Sequence, residues 1–210
     1  MTIDLEKRQV TTTINLRQIE DSDEQVIEGY ALKFNKESSI LGSFYMKFRE
    51  LIDAHALDGT EMNDVVATFN HDQNQVLGRA NVNLELTVDN IGLKFRVKPT
   101  DTQYARDLIA NIKAGVINQC SFAFTIPDED GAEEWVNSDE EGVDYVRTIM
   151  RIDHLYDVSV VTTPAYPDTE ATVGARSKKL VEELRKDPKW ETEKRNLLME
   201  LDKEQLLEDI

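Results

Sequence analysis

The chain has one cysteine, Cys120, in 210 residues. One thiol cannot form an intramolecular disulfide, and a four-cysteine zinc site is excluded with it. Histidine is nearly as scarce: only His55, His71 and His154 are present, so acid–base chemistry at an imidazole has three candidates. No run approaches the roughly 18 apolar residues a membrane-spanning helix needs. The first ten residues, MTIDLEKRQV, are charged and lack the apolar stretch of about 7 to 15 residues that a secretory signal carries. Basic residues are outnumbered 24 to 41, a formal charge of −17. That balance argues against binding a nucleic-acid backbone, which wants clustered Lys and Arg. It suits solubility or a basic partner. These absences describe a soluble chain of a reducing cytoplasm, with no nucleic-acid and no membrane partner.

What is present suffices for a real core. Hydrophobic residues make up 40% of the chain and charged residues 31%. The length allows one domain of about 150 to 180 residues plus an appendage. Gln9 to Ile19 contains VTTTINLRQI, rich in β-branched residues, and reads as a strand whose antiparallel partner is Val26 to Phe34. Phe44 to Ile52 fits a strand or a short helix, and Asp53 to Asn63 a turn or short helix with a loop. Val65 to His71 reads as a strand with Val65, Ala67, Phe69 and His71 on one face. Alternating residues follow over Leu77 to Val88, and Gly92 to Val97 pairs back as a hairpin across Asp89–Asn90. Apolar residues at 104, 105, 108, 109 and 112 predict a helix over Thr102–Ala114, capped by Thr100 or Asp101 and closed by Gly115. Residues 127–144 hold nine acidic residues and no Lys or Arg, the pattern of a solvated loop. Tyr145 to Arg151 and Leu155 to Thr162 read as strands. From Arg176 onward nine basic and ten acidic residues alternate with leucines at helical spacing, broken at Asp187–Pro188.

The expected fold is therefore mainly β (α+β): a small barrel-like core of six to eight strands, with a packed helix and a helical C-terminal extension. The domain boundary falls between a core of 1–175 and a charged helical tail of 176–210.

Candidate chemistry centres on GVINQCSFAF, residues 115–124. On a strand, Cys120, Phe122 and Phe124 share the core face, and Ser121 points the other way. That presents a nucleophile, and it equally makes an ordinary half-buried strand. A serine hydroxyl at neutral pH needs a base within hydrogen-bond reach, and the base needs an orienting partner. His71, in FNHDQNQ, is the better base, since His55 in DAHAL belongs to a surface turn. For the third member, DHLYD offers Asp153, His154 and Asp157. Asp153, Leu155 and Asp157 fall on one strand face and His154 on the other. Asp157 interrupts an apolar run, where a carboxylate is costly unless paired. A histidine, an Arg or a backbone N–H would each serve as its partner.

Five stretches carry a family resemblance: EGYALKF (28–34), ATFNHDQNQVLGR (67–79), GLKFRV (92–97), AGVINQCSFAF (114–124) and LYDVSVVTTPAYPDT (155–169). In this order, over roughly residues 9 to 173, they resemble the tailed-phage prohead maturation proteases, which share a fold with the herpesvirus assemblins. Two positions depart from the family pattern: Cys120 precedes SFxF where the residue is usually small or varied, and Asp157 stands where Glu is frequent. The resemblance implies a serine endopeptidase with Ser121 as nucleophile, His71 as general base and a third member near DVSVV. Asp157 is preferred there, then His154, which assemblins favour, then Asp153. It implies no cofactor and no metal, with backbone N–H groups binding the oxyanion. The implied substrates are the major capsid protein or scaffold segments inside an assembling prohead in the host cytoplasm, and the protease itself. Dimerisation in assemblins makes a homodimer plausible, and the tail would suit docking or packaging.

Three rivals stand beside this reading. A non-catalytic assembly or scaffolding protein fits the acidic charge and helical tail. A cysteine peptidase would use Cys120 with His71, although Cys120 shares its face with phenylalanines and reads as core. A metal hydrolase would rest on the His71–Asp72 pair, which lacks further ligand spacing.

Overall fold

The structure, a computed structural model, describes residues 5–10, 14–18, 25–43, 46–162 and 175–184. The chain divides into two compact units, Met1–Thr172 and Val173–Ile210. Within the second unit one helix is described, α2 (Ala175–Leu184), which buries Ser177 and Val181, four residues apart on one face. The expected helix over 190–210 and the Pro-rich turn over 163–169 lie outside the described residues.

In the first unit the strands run β1 (Glu6–Val10), β2 (Asn15–Gln18), β3 (Gln25–Lys33), β4 (Leu41–Ser43), β5 (Met46–Ile52) and β6 (Val66–Phe69). Then come β7 (Asp72–Arg79), β8 (Leu84–Val88), β9 (Gly92–Val97) and the helix α1 (Gln103–Lys113). The series ends with β10 (Gln119–Thr125), β11 (Glu133–Asn137), β12 (Tyr145–Ile149) and β13 (His154–Val161). They form three sheets, ordered β1-β10-β13-β6-β7, β11-β12-β5-β4 and β2-β3-β9-β8. The mainly β class stands. The barrel-like core of six to eight strands does not: among the described residues there are thirteen strands, and each sheet keeps two open ends.

Three differences from the sequence reading explain the higher count. Gln9–Ile19 is not one strand, because β1 pairs with β10 in one sheet while β2 pairs with β3 in another. Residues 46–52 settle as a strand, β5, with Phe48, Glu50 and Ile52 buried alternately. The acidic stretch is not all loop, since β11 lies inside it and pairs with β12. Glu133, one of its nine acidic residues, is buried there against Arg147.

The helix forms as its spacing requires. Ala105, Leu108 and Ile112 face inward, and Gly115 takes the left-handed φ of 73° that ends a helix at little cost. Its cap is Thr102, whose side chain accepts a hydrogen bond from the Ala105 N–H, rather than Thr100 or Asp101. The core gathers Cys120, Phe122, Phe124, Leu155, Val158 and Val160 from the first sheet. Opposite them lie Ile27, Leu32, Leu93, Phe95 and Val97 from the third. Burying each large side chain of this set contributes about 1.5 to 3 kcal/mol.

Candidate active site

The strand order β10-β13-β6 sets the site. Ser121 on β10 pairs with Ser159 on β13, and Ser159 pairs in turn with Thr68 on β6. Cross-strand partners share a face, so three hydroxyls form one row on the face opposite the phenylalanines. Ala123 pairs with Asp157 in the same register, which puts that carboxylate one step along the row.

Asp157 reaches this face because of a bulge. The register shifts so that Phe124 pairs with Leu155 while Ala123 pairs with Asp157, leaving Tyr156 as the extra residue. Leu155 therefore joins the core, and Asp157 turns to the other side. The simple alternation that placed Asp153, Leu155 and Asp157 together is corrected here.

His71 is not the last residue of a strand either. Asn70 and His71 have φ of 54° and 57°. They form the two-residue turn between β6 and β7, the all-left-handed pattern that suits a tight antiparallel hairpin. Asparagine tolerates that conformation well; histidine does so at some cost, held here by three hydrogen bonds. The His71 N–H donates to Ser159 Oγ (2.9 Å). Nδ1 lies 2.8 Å from Asp157 Oδ1 and Nε2 lies 2.6 Å from Ser121 Oγ. The ionised carboxylate accepts only, so Nδ1 carries the proton and Nε2 is left as the acceptor.

Asp157 is 3% exposed, and its burial is compensated on both oxygens. Oδ1 accepts from the imidazole Nδ1–H of His71, and Oδ2 accepts from the Thr68 hydroxyl at 2.6 Å. Thr68 and Ser159, 3.0 Å apart, complete the network. Neither was singled out from the sequence. The signal was available: each is a buried hydroxyl in an apolar strand, and Ser159 stands two residues beyond Asp157.

The other candidates lie elsewhere. His154 pairs with Thr125, four residues beyond Ser121 and so about 13 Å along the strand. Its ring stacks on Tyr156 at 4.0 Å. Asp153 is exposed. His55 is exposed and bonds Asp58 at 3.0 Å. Cys120 is buried on the core face, its Sγ 3.0 Å from the Tyr30 carbonyl. The Asp72 carboxylate turns to the Asn74 N–H and the Asn74 and Gln75 amides, which hold its pKa below the usual carboxylate range. No group of three or more potential metal ligands occurs among the described residues, and none of their helices is long and apolar enough to cross a membrane.

Ser121 itself is fully buried. Besides His71, its Oγ contacts the Arg8 carbonyl oxygen at 2.8 Å. Arg8 belongs to β1, which covers the free edge of β10 in antiparallel register, Glu6 opposite Phe124 and Val10 opposite Cys120. On the face away from Ser121, β1 sends Glu6 and Arg8 into a buried ion cluster. Arg8 Nε donates to Glu50 Oε1 at 2.7 Å, and Arg8 also bonds Glu6. Arg147, with no exposure, donates to Glu6 at 2.6 Å, to Glu50 at 2.8 Å and to Glu133 at 2.8 Å. Burial pushes the Arg147 pKa down; Glu6, Glu50 and Glu133 outweigh it and hold the pKa above the ordinary value.

A serine, an imidazole and a carboxylate in hydrogen-bonded series define the class of serine hydrolases by geometry, whatever the fold. Residues 12–184 match the family described as caudovirus prohead serine protease. The chain belongs to that family of phage proteases. Among solved structures, it is similar to the bacteriophage T4 capsid assembly protease, gp21, at 13% identity and a TM-score of 0.48, over 77% of this chain and 98% of that one. No curated protein matches.

Proposed function

We propose that the chain is a serine endopeptidase of phage prohead maturation, with Ser121 as nucleophile, His71 as general base and Asp157 as the residue that orients and stabilises the imidazole. The observation that carries this reading is the unbroken series Ser121 Oγ–His71 Nε2–Asp157, at 2.6 and 2.8 Å. Family membership supports the reaction class.

In this mechanism Ser121 Oγ attacks the scissile carbonyl carbon as His71 Nε2 takes the hydroxyl proton. The imidazolium is stabilised by Asp157, which accepts from both the Thr68 hydroxyl and the imidazole N–H. His71 then protonates the departing amine, leaving an acyl-Ser121. Water, deprotonated by His71, hydrolyses that ester and returns the proton to Ser121. The substrates are the capsid or scaffold proteins of the same prohead, cleaved inside the assembling particle, and the protease itself. Residues 1–175 carry the chemistry. The charged tail from Arg176 serves docking, and self-association as a homodimer accompanies activity.

Co-expression with the capsid protein of the same phage tests the reading. Wild-type chain cleaves it; Ser121→Ala and His71→Ala leave it intact. Undiminished cleavage by both variants overturns the enzyme reading and favours an assembly protein.

A further inference from the structure

Among the described residues the first sheet ends at β1, which pairs along β10 beside Ser121. With β1 in place Ser121 has no exposed surface, so no peptide carbonyl can reach its Oγ. The covering strand also competes for the reactive proton. Ser121 has one hydroxyl hydrogen and two acceptors within reach, His71 Nε2 at 2.6 Å and the Arg8 carbonyl at 2.8 Å. A proton donated to Arg8 is not donated to the base. From these contacts we propose that β1 is a resident occupant of the peptide-binding edge, and that a substrate enters as an extended antiparallel strand on β10 in its place. The inference rests on the reading of Ser121 given above and adds its access and its substrate class.

β1 is well placed to leave. Among the described residues it is an end strand, paired on one side only, and the next strand in sequence, β2, belongs to a different sheet. Its departure uncovers a row of backbone N–H and C=O groups on β10, the template on which an extended peptide adds. The exchange opens the ion cluster: the Arg8–Glu50 and Arg147–Glu6 bonds break, and the incoming strand has to restore them. Glu6 and Arg8 are 3% exposed each and carry opposite charges. They leave as a neutral pair, so the net charge around Glu50, Glu133 and Arg147 is unchanged. An incoming strand fills the same space best if it also carries an acidic and a basic side chain two residues apart on one face. Alternate residues of an extended peptide provide that spacing. The substrate class is thus an extended segment with an acidic-x-basic pattern paired beside the scissile bond.

The test separates edge occupancy from chemistry. In a Ser121→Ala background, a fluorescent peptide with the sequence LEKRQV is titrated into the otherwise unchanged chain and into the Glu6→Ala/Arg8→Ala chain. Fluorescence anisotropy is expected to show binding at least about tenfold tighter to the second, where the resident strand is loosened. A peptide with Glu and Arg exchanged for Ala loses that gain. In chains that keep Ser121, a fluorophosphonate probe labels the Glu6→Ala/Arg8→Ala protein at least about tenfold faster than the parent. The milder Glu6→Gln/Arg8→Gln chain follows the same order if the double alanine variant does not fold. Equal peptide affinity for loosened and parent chains overturns the inference, whatever the labelling shows. Tighter peptide binding with no label on Ser121 in any chain upholds the edge and overturns the nucleophile.

Discussion

Two buried polar regions flank β1 and β10, and they are built on opposite principles. On one face, Glu6, Arg8, Glu50, Glu133 and Arg147 form an ion cluster in which each guanidinium meets several carboxylates. On the other, Ser121, His71, Asp157, Thr68 and Ser159 form a hydrogen-bonded series with a single carboxylate and one mobile proton between Oγ and Nε2. Desolvating charge is expensive, and the first region repays it only by being complete; it holds strands together and has nothing left to give. The second is saturated at its Asp157 end and poised at its Ser121 end. A buried network that clamps uses its donors up; the second, on the proposed reading, keeps a proton with two places to go.

The sharpest way to break this comparison is to remove the poised end. Ser121→Ala is expected to lower the cleavage rate by at least about 10⁴-fold, with the thermal midpoint almost unchanged because no buried charge loses its partner. Peptide cleavage followed by mass spectrometry, alongside calorimetry, checks both halves. Asp157→Asn keeps the volume and reverses the hydrogen-bonding sense at His71 Nδ1. A loss of about 10³ to 10⁴-fold is expected in kcat with a smaller change in KM; an effect confined to KM would mean that Asp157 does not act through the imidazole. The clamp should respond in the opposite way. Arg147→Met leaves Glu6, Glu50 and Glu133 facing one another and is expected to cost about 3 to 5 kcal/mol in denaturant unfolding. If stability holds while activity per folded molecule collapses, the two regions have been assigned the wrong roles. Thr68→Val should be milder, removing one donor to Asp157 at a cost of about 1.5 to 3 kcal/mol in transition-state stabilisation, read from kcat. The smallest effect is expected at Cys120→Ala: full cleavage activity, with roughly 1 kcal/mol of stability lost from the core.

Much of this arrangement is legible in the sequence, and the limits are physical. Alternation around Ser121 separates the two faces of β10, since a strand without a bulge has a strict period of two. Asp157 is legible as a carboxylate in an apolar run. The helix before β10 is legible from spacing and from Gly115. What alternation cannot carry is a change of register. The bulge at Tyr156 reverses the face of Leu155 relative to Asp157, and the left-handed turn at Asn70–His71 lifts the imidazole off the strand. The pairing of β1 with β10 joins segments more than a hundred residues apart, so no local pattern announces it. The same holds for Glu133, whose acidic neighbours give it the look of solvated surface while Arg147 draws it inside.

The central claim is that Ser121 is the nucleophile and His71 its base. Labelling of the active chain with a fluorophosphonate, followed by digestion and sequencing of the modified peptide, tests it most directly. The account predicts one adduct, on Ser121 within GVINQCSFAF, abolished in His71→Ala. An adduct on any other residue, or a chain that cleaves its substrate yet leaves Ser121 unmodified after prolonged exposure with β1 loosened, would contradict it.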